Sequence, residues 1–248
     1  MSALARAPGQ RPADPAGMPI EVSEIFGPTL QGEGVSVGRA AAFLRLARCG
    51  VGCAWCDTRY SWDFEPEDAA QHAESVTAQA CWEQVRGHLP PGRERLLVVS
   101  GGEPLLQAQA LAHVLRLAKG AGCRVEVETS GVVPPGALVP FVDLFTVSPK
   151  LRHSAVSDAR RMRPAVLAEL ADTGRAVFKF VVRGPQDLDE VAELAEPYPA
   201  VPVMVMPLGT SPHRLGRVLR ALAEPVAARG WRLTPRMHID LWGNERGR

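Results

Sequence analysis

Three of the five cysteines fall within one short stretch, Cys49-Gly-Val-Gly-Cys53-Ala-Trp-Cys56, a C-x3-C-x2-C spacing. Three thiolates on one tight loop suit three irons of a [4Fe–4S] cluster and leave the fourth iron open to another ligand. Gly50 and Gly52 give the loop freedom to wrap that tightly. A structural zinc site would need four ligands. Cys81 and Cys123 lack a paired Cys or His at finger spacing, and only His72 and His88 could complete a set. Buried free thiols are the other alternative. Cys81 and Cys123 themselves lie in helical and strand patterns and read as small core residues. An odd number of cysteines, so clustered, does not make a disulfide framework.

Further polar segments end apolar runs. Ser100-Gly-Gly102-Glu103-Pro104 follows one run, and its glycines let backbone approach a ligand closely. The alternative is a plain strand-to-helix turn with Pro104 at the helix start. Glu128-Thr129-Ser130-Gly131, Ser148-Pro149-Lys150 and Met206-Pro207-Leu208-Gly209 end three more runs. Lys150 is one of only three lysines in an Arg-rich chain.

Strands are expected at Ala42–Ala47, Leu96–Ser100, Arg124–Glu128, Leu144–Val147, Val177–Val182 and Val203–Met206. Several are nearly continuous apolar runs, as in a parallel sheet covered on both faces. Leu111, Val114, Leu115 and Ala118 keep helical spacing, as do Leu215, Val218, Leu219 and Leu222; Gly120 and Gly122 close the first of these helices. The alternation implies right-handed βαβ units. With about six strands, an α/β fold with an open, partial βα barrel and a mostly parallel sheet is expected. Its chemistry would sit at the C-terminal strand ends. Residues 1–17, rich in Ala, Pro and Gly, read as a disordered tail, and 18–248 as one catalytic domain.

The composition agrees with a soluble enzyme. The 248 residues are 46% hydrophobic and 22% charged with a net charge of +1, which gives no electrostatic footprint for nucleic acid or an anionic membrane. Without a spanning segment or an apolar leader, a cytoplasmic location is expected.

The cysteine spacing after the first strand of a βα repeat, with the Ser100–Pro104 segment, resembles the radical S-adenosylmethionine superfamily. Two strings narrow it: Glu24-Ile-Phe-Gly-Pro-Thr-Leu-Gln31-Gly32-Glu33-Gly34, and Asp57-Thr58 directly after the last cysteine. With the closing segment His238-Ile-Asp-Leu-Trp-Gly-Asn-Glu-Arg-Gly, the chain from about residue 21 resembles the 7-carboxy-7-deazaguanine synthase family. Arg48 stands where the family pattern has Gly, Ser130 where Asn is common, and Met206 where Gln often precedes the proline.

The resemblance implies a radical ring contraction of 6-carboxy-5,6,7,8-tetrahydropterin with loss of ammonia, on the route to queuosine and other 7-deazapurines. It implies a [4Fe–4S] cluster on Cys49, Cys53 and Cys56, S-adenosylmethionine used and regenerated, and Mg2+ on Thr58. It also implies a flavodoxin- or ferredoxin-type reductant and a homodimer. By family position Leu30, Gln31, Gly32, Glu33, Arg45, Ser100 and His238 map to the substrate, with Glu33, Arg45 and His238 nearest the chemistry. Trp55, Cys56, Asp57, Gly102, Glu103, Ser148, Pro149, Lys150, Met206, Pro207, Leu208 and Gly209 map to S-adenosylmethionine. Glu128–Gly131 is a weaker ribose contact.

The residue types suit those roles. Gln31 and Glu33 offer amide and carboxylate contacts to a pterin's guanidine-like edge, and Arg45 offers a rigid fork for its carboxylate. Gln31 as a turn-former and Arg45 as a surface ion pair are the alternatives. Thr58 is a poor sole ligand for Mg2+, so substrate oxygens and water must complete the shell; otherwise it is a turn residue. A glycyl-radical activating enzyme shares the cysteine spacing but has no use for the QGEG turn. A non-catalytic zinc or iron–sulfur protein leaves the GGEP and SPK loops unexplained.

Overall fold

The computed structural model describes residues 14–248. Nine strands form one sheet in the order β3-β1-β2-β4-β5-β6-β7-β8-β9. They are β1 (Pro19–Leu30), β2 (Ala40–Leu46), β3 (Glu74–Thr77), β4 (Arg95–Gly101), β5 (Cys123–Thr129), β6 (Leu144–Val147), β7 (Ala176–Val182), β8 (Val203–Pro207) and β9 (Arg232–Leu233). From β2 to β9 every neighbouring pair is parallel. At one end of the sheet β1 runs antiparallel to both its neighbours, β2 and the edge strand β3. The order is linear, so the barrel stays open as expected. All six expected strands are present; β1, β3 and β9 are additions.

The helices are α1 (Ala69–His72), α2 (Ala78–Gly87), α3 (Ala108–Gly120), α4 (Asp158–Arg161), α5 (Pro164–Asp172), α6 (Leu188–Ala195), α7 (Pro212–Ala228) and α8 (Met237–Trp242). Leu111, Val114, Leu115 and Ala118 turn the α3 stripe fully into the core, and Leu215 and Leu222 do so for α7. Among the described residues no helix is long and apolar enough to cross a membrane.

The two faces of the sheet differ, which corrects the picture of strands apolar on both sides. Side chains alternate across a strand. Leu44 and Leu46, Leu97 and Val99, Val125 and Val127, Phe145 and Val147, Phe178 and Phe180, and Val203 and Val205 join the main core. Their neighbours on the opposite face include Arg45, Ser100, Glu128, Thr146, Lys179 and Met206, all lining one cavity. In strand order these six come from β2, β4, β5, β6, β7 and β8, all but the mid-strand Lys179 at or near the C-terminal ends.

Residues 1–13 of the expected tail lie outside the described residues. Pro15–Gly17 forms a 3-10 turn whose Ala16 amide donates to Asp14 Oδ1 at 3.1 Å. The turn packs against α2 and α3, so the structured domain takes in these residues.

Candidate active site

The cysteine loop leaves β2 through Arg48, which holds φ +75°. That left-handed backbone favours glycine, the residue the family pattern places there. Arg48 binds Glu21 through two nitrogens at 2.9 and 3.2 Å. Gly52 (φ +73°) needs its freedom. Gly50 does not, since a Cβ there would meet nothing within 4 Å and its φ is not positive. Thus only one of the two expected loop glycines is required by local geometry.

N–H groups approach two of the three sulfurs: the Val51 amide lies 3.4 Å from Cys49 Sγ and Trp62 Nε1 lies 3.3 Å from Cys56 Sγ. Thr58 Oγ1 stands 3.5 Å from the same Cys56 Sγ. Val51, Cys53 and Val156 form an apolar backing. Arg160 donates to Gly50 O at 2.9 Å, and the Ala54 amide donates to Ser154 O at 3.0 Å. Cys81 and Cys123 are buried away on α2 and β5, and burial pushes the Cys81 thiol up to about 12. Among the described residues no three His, Cys, Asp or Glu side chains are grouped to hold a single metal ion.

The glycines after β4 approach protein backbone, which refines the expectation of ligand approach. A Cβ on Gly101 would lie 2.2 Å from Leu46 O, and one on Gly102 2.0 Å from Arg48 O. The Gly102 and Glu103 amides donate to those carbonyls, at 3.0 and 2.8 Å. Glu103 is fully buried and does not line the cavity. Its carboxylate accepts from the Leu105 amide (3.1 Å), Thr129 Oγ1 (2.8 Å), the Ser130 amide (2.8 Å) and the Ser130 hydroxyl. In this structure Glu103 therefore ties the segment after β4 to the end of β5.

The cavity, about 670 Å³, brings together Cys49, Cys53, Cys56, Trp55, Asp57, Thr58, Gly102, Ser148, Lys150 and Met206–Gly209 on one side. Leu30–Glu33, Arg45, Ser100 and His238 line it as well, as do Glu128, Thr129 and Ser130. Glu103, Pro149 and Gly131 do not. Lys150 Nζ donates to Ser148 Oγ at 3.0 Å and lies 5.8 Å from the Trp55 ring centre.

On the other side the polar groups bind one another. Gln31 Nε2 donates to Glu128 Oε1 at 3.2 Å, while Gln31 Oε1 accepts from the Glu33 amide at 3.3 Å. Lys179 Nζ donates to Glu33 Oε2 at 2.5 Å and lies 3.9 Å from Glu128. Burial pushes the Glu33 carboxyl up, but Lys179, Arg236 and His238 outweigh it and hold it at about 2. The His238 ring sits where a Cβ on Gly32 would be, 2.0 Å from its Nδ1, and the Met237 amide donates to Gly32 O at 2.7 Å. Burial pushes His238 below its ordinary value, so its ring is neutral near pH 7.

Arg45 pairs with Glu24 across the β1–β2 ladder, Nε to Oε1 at 2.6 Å, and its Nη1 lies 3.4 Å from Ser100 Oγ. The same Glu24 accepts from Tyr60 Oη (2.7 Å) and Arg246 Nε (2.9 Å). Arg45 is thus ion-paired within the protein, not at its surface, and lines the cavity. Sequence reasoning missed Lys179, Arg236, Glu24, Tyr60 and Trp62. The one available signal was Lys179 itself, a cation in the apolar run Val177–Val182.

Residues 45–196 match the Radical SAM superfamily. A 7-carboxy-7-deazaguanine synthase of Pyrobaculum aerophilum is 40% identical over 232 residues, covering 92% of this chain and 97% of that protein. Its namesake in Halobacterium salinarum is 33% identical, covering 92% of each. Among solved structures, QueE from Escherichia coli superposes with a TM-score of 0.71 at 26% identity, over 90% of this chain and 96% of that one. Open barrel, cysteine loop and near full-length relatives agree: this chain belongs to the 7-carboxy-7-deazaguanine synthase family of the radical SAM superfamily.

Proposed function

We propose that this cavity contracts the ring of 6-carboxy-5,6,7,8-tetrahydropterin to give 7-carboxy-7-deazaguanine and ammonia, in 7-deazapurine and queuosine biosynthesis. One observation carries the reading. The three-cysteine loop and a buried charged platform of Glu33, Lys179, Glu128 and Arg236 line a single cavity. Its volume is that of a small-molecule site. A polar, bicyclic substrate suits such a platform, and a protein substrate of the activating-enzyme kind has no use for it.

The donor set fits an iron–sulfur cluster, because N–H groups approach two sulfurs of a three-thiol loop. Cys49, Cys53 and Cys56 would hold the cluster. Trp55, Asp57, Gly102, Ser148, Lys150 and Met206–Gly209 would hold S-adenosylmethionine. When bound, these groups supply reductive sulfonium cleavage and a carbon radical that takes and returns a substrate hydrogen. The chain's own residues bind and orient. Arg45 holds the substrate carboxylate, and Glu24 fixes the direction of its fork. Leu30, Gln31, Gly32, Glu33, Ser100 and His238 form the pterin wall, where Glu33 stays ionised and His238 stays neutral. Thr58 would give one oxygen to Mg2+, with substrate and water completing the shell. Electrons come from a flavodoxin- or ferredoxin-type protein, and the chain works as a homodimer.

The test is anaerobic reconstitution followed by chromatography of the pterin reaction. Product is expected from the wild type, and Cys53→Ala should lose both the iron and the cleavage of S-adenosylmethionine. Sulfonium cleavage with no pterin product would sink the substrate assignment. Thr58→Val keeps the side-chain shape and removes the oxygen. It should keep its cluster yet lose most stimulation by Mg2+; equal stimulation in both proteins would make Thr58 a turn residue.

A further inference from the structure

Arg236 lines the cavity and touches Asp57, Gly209 and His238 at once. Its side chain is only 8% exposed. Nη1 donates to Gly209 O at 2.7 Å, and Nη2 donates to Asp57 Oδ2 at 2.5 Å while standing 3.3 Å from His238 Nε2. Nε is buried with no hydrogen-bond partner, 4.0 Å from Glu33 Oε1. The guanidinium therefore binds the residue directly after the last cysteine and the loop that ends β8. It also abuts His238 and the carboxylate of Glu33.

We propose that Arg236 is a positioning residue that couples occupation of the two halves of the cavity. The inference rests on the reading above, in which Asp57 and Gly209 meet S-adenosylmethionine and Glu33 and His238 meet the pterin. A planar guanidinium has fixed donor directions, so shifting Asp57 or Gly209 re-aims the edge beside Glu33 and His238. Its unpartnered Nε–H is a donor already desolvated, which a pterin acceptor or a small advance of Glu33 would satisfy. Any such link is reciprocal: each ligand must tighten the other by the same factor. Lysine keeps the charge but cannot span Gly209 O, Asp57 and His238 at once.

The experiment measures S-adenosylmethionine affinity by equilibrium dialysis on the reconstituted protein, with and without the carboxylated pterin. Iron content is checked in every variant. The wild type should show tightening of about fivefold or more, the lower range of such couplings. In Arg236→Lys and Arg236→Gln the tightening should fall below about twofold whatever the change in each separate affinity, with 5′-deoxyadenosine formed in excess over product. Asp57→Asn, which loosens the same joint from the other side, should be non-additive with Arg236→Lys. Full tightening in Arg236→Lys would overturn the proposal. So would a parallel loss of both separate affinities with the factor preserved, since that is plain scaffolding.

Hydrogen exchange on the ligand-free chain separates this failure from that of the substrate reading. Arg236→Lys should speed exchange at both 57–62 and 206–210. If the wild type binds no pterin, the substrate reading falls, and unchanged exchange at either segment removes the joint as well.

Discussion

Lys179 shows how much a single buried charge can organise. It stands in β7 between Phe178 and Phe180, whose rings join the core on the opposite face, and serves two carboxylates, Glu33 and Glu128. Removing one partner of a buried ion pair leaves the other charge desolvated, a loss of about 3–5 kcal/mol. Lys179→Met should therefore lower the melting temperature of the ligand-free protein by about 6–20 °C, at roughly 2–4 °C per kcal/mol for a domain of this size. Adding Glu33→Gln should recover part of that loss. A drop under about 2 °C would mean that Arg236 alone suffices to hold both carboxylates. The same residue marks what sequence reading could not reach. The Lys179–Glu33 bond joins positions 146 apart and the Arg236–Asp57 bond positions 179 apart. No local spacing encodes either, whereas the cysteines declare themselves within eight residues.

Among the elements, the turn after β4 packs backbone against backbone more closely than any side chain would allow. Gly102→Ala would place a methyl 2.0 Å from Arg48 O and force the turn off the cysteine loop. Overpacking of this kind costs about 1–3 kcal/mol, and here it falls on the segment that holds the sulfurs. Iron retained after reconstitution should drop severalfold in Gly102→Ala and stay near wild type in Gly50→Ala, whose Cβ would meet open space. Equal iron in the two variants would show that the loop does not depend on that contact. The legible elements share one trait with these turns, a strong local signal. Strands such as Leu96–Val99 are fully buried and read as apolar runs. β1 was hidden because Pro19–Leu30 is broken by two register shifts and carries Glu24 among its apolar residues. β9 has two residues and no pattern to read.

For the molecule as a whole, acid should be the weak direction. Burial outweighs the neighbouring carboxylates and lowers His238 below 6.5, so beneath about pH 6.5 the unfolded chain binds a proton that the folded chain refuses. Glu33, held at about 2 against an ordinary 4.5, contributes stability that is complete above about pH 4.5 and is lost as pH falls toward 2. Melting temperatures of the ligand-free protein should be level from pH 8 to about 6.5 and decline steadily below. In Lys179→Met the decline below pH 4.5 should become shallower, because the strongest of the cations that lower Glu33 is gone. A melting temperature that rises on acidification would contradict the assignment. The Arg236 joint has a further consequence, in time during synthesis. Chains grow from the N-terminus at about 5–20 residues per second, so Cys56 emerges roughly 10–40 s before Arg236. The loop that is to take the cluster is thus made well before the guanidinium that ties Asp57 to Gly209 and His238.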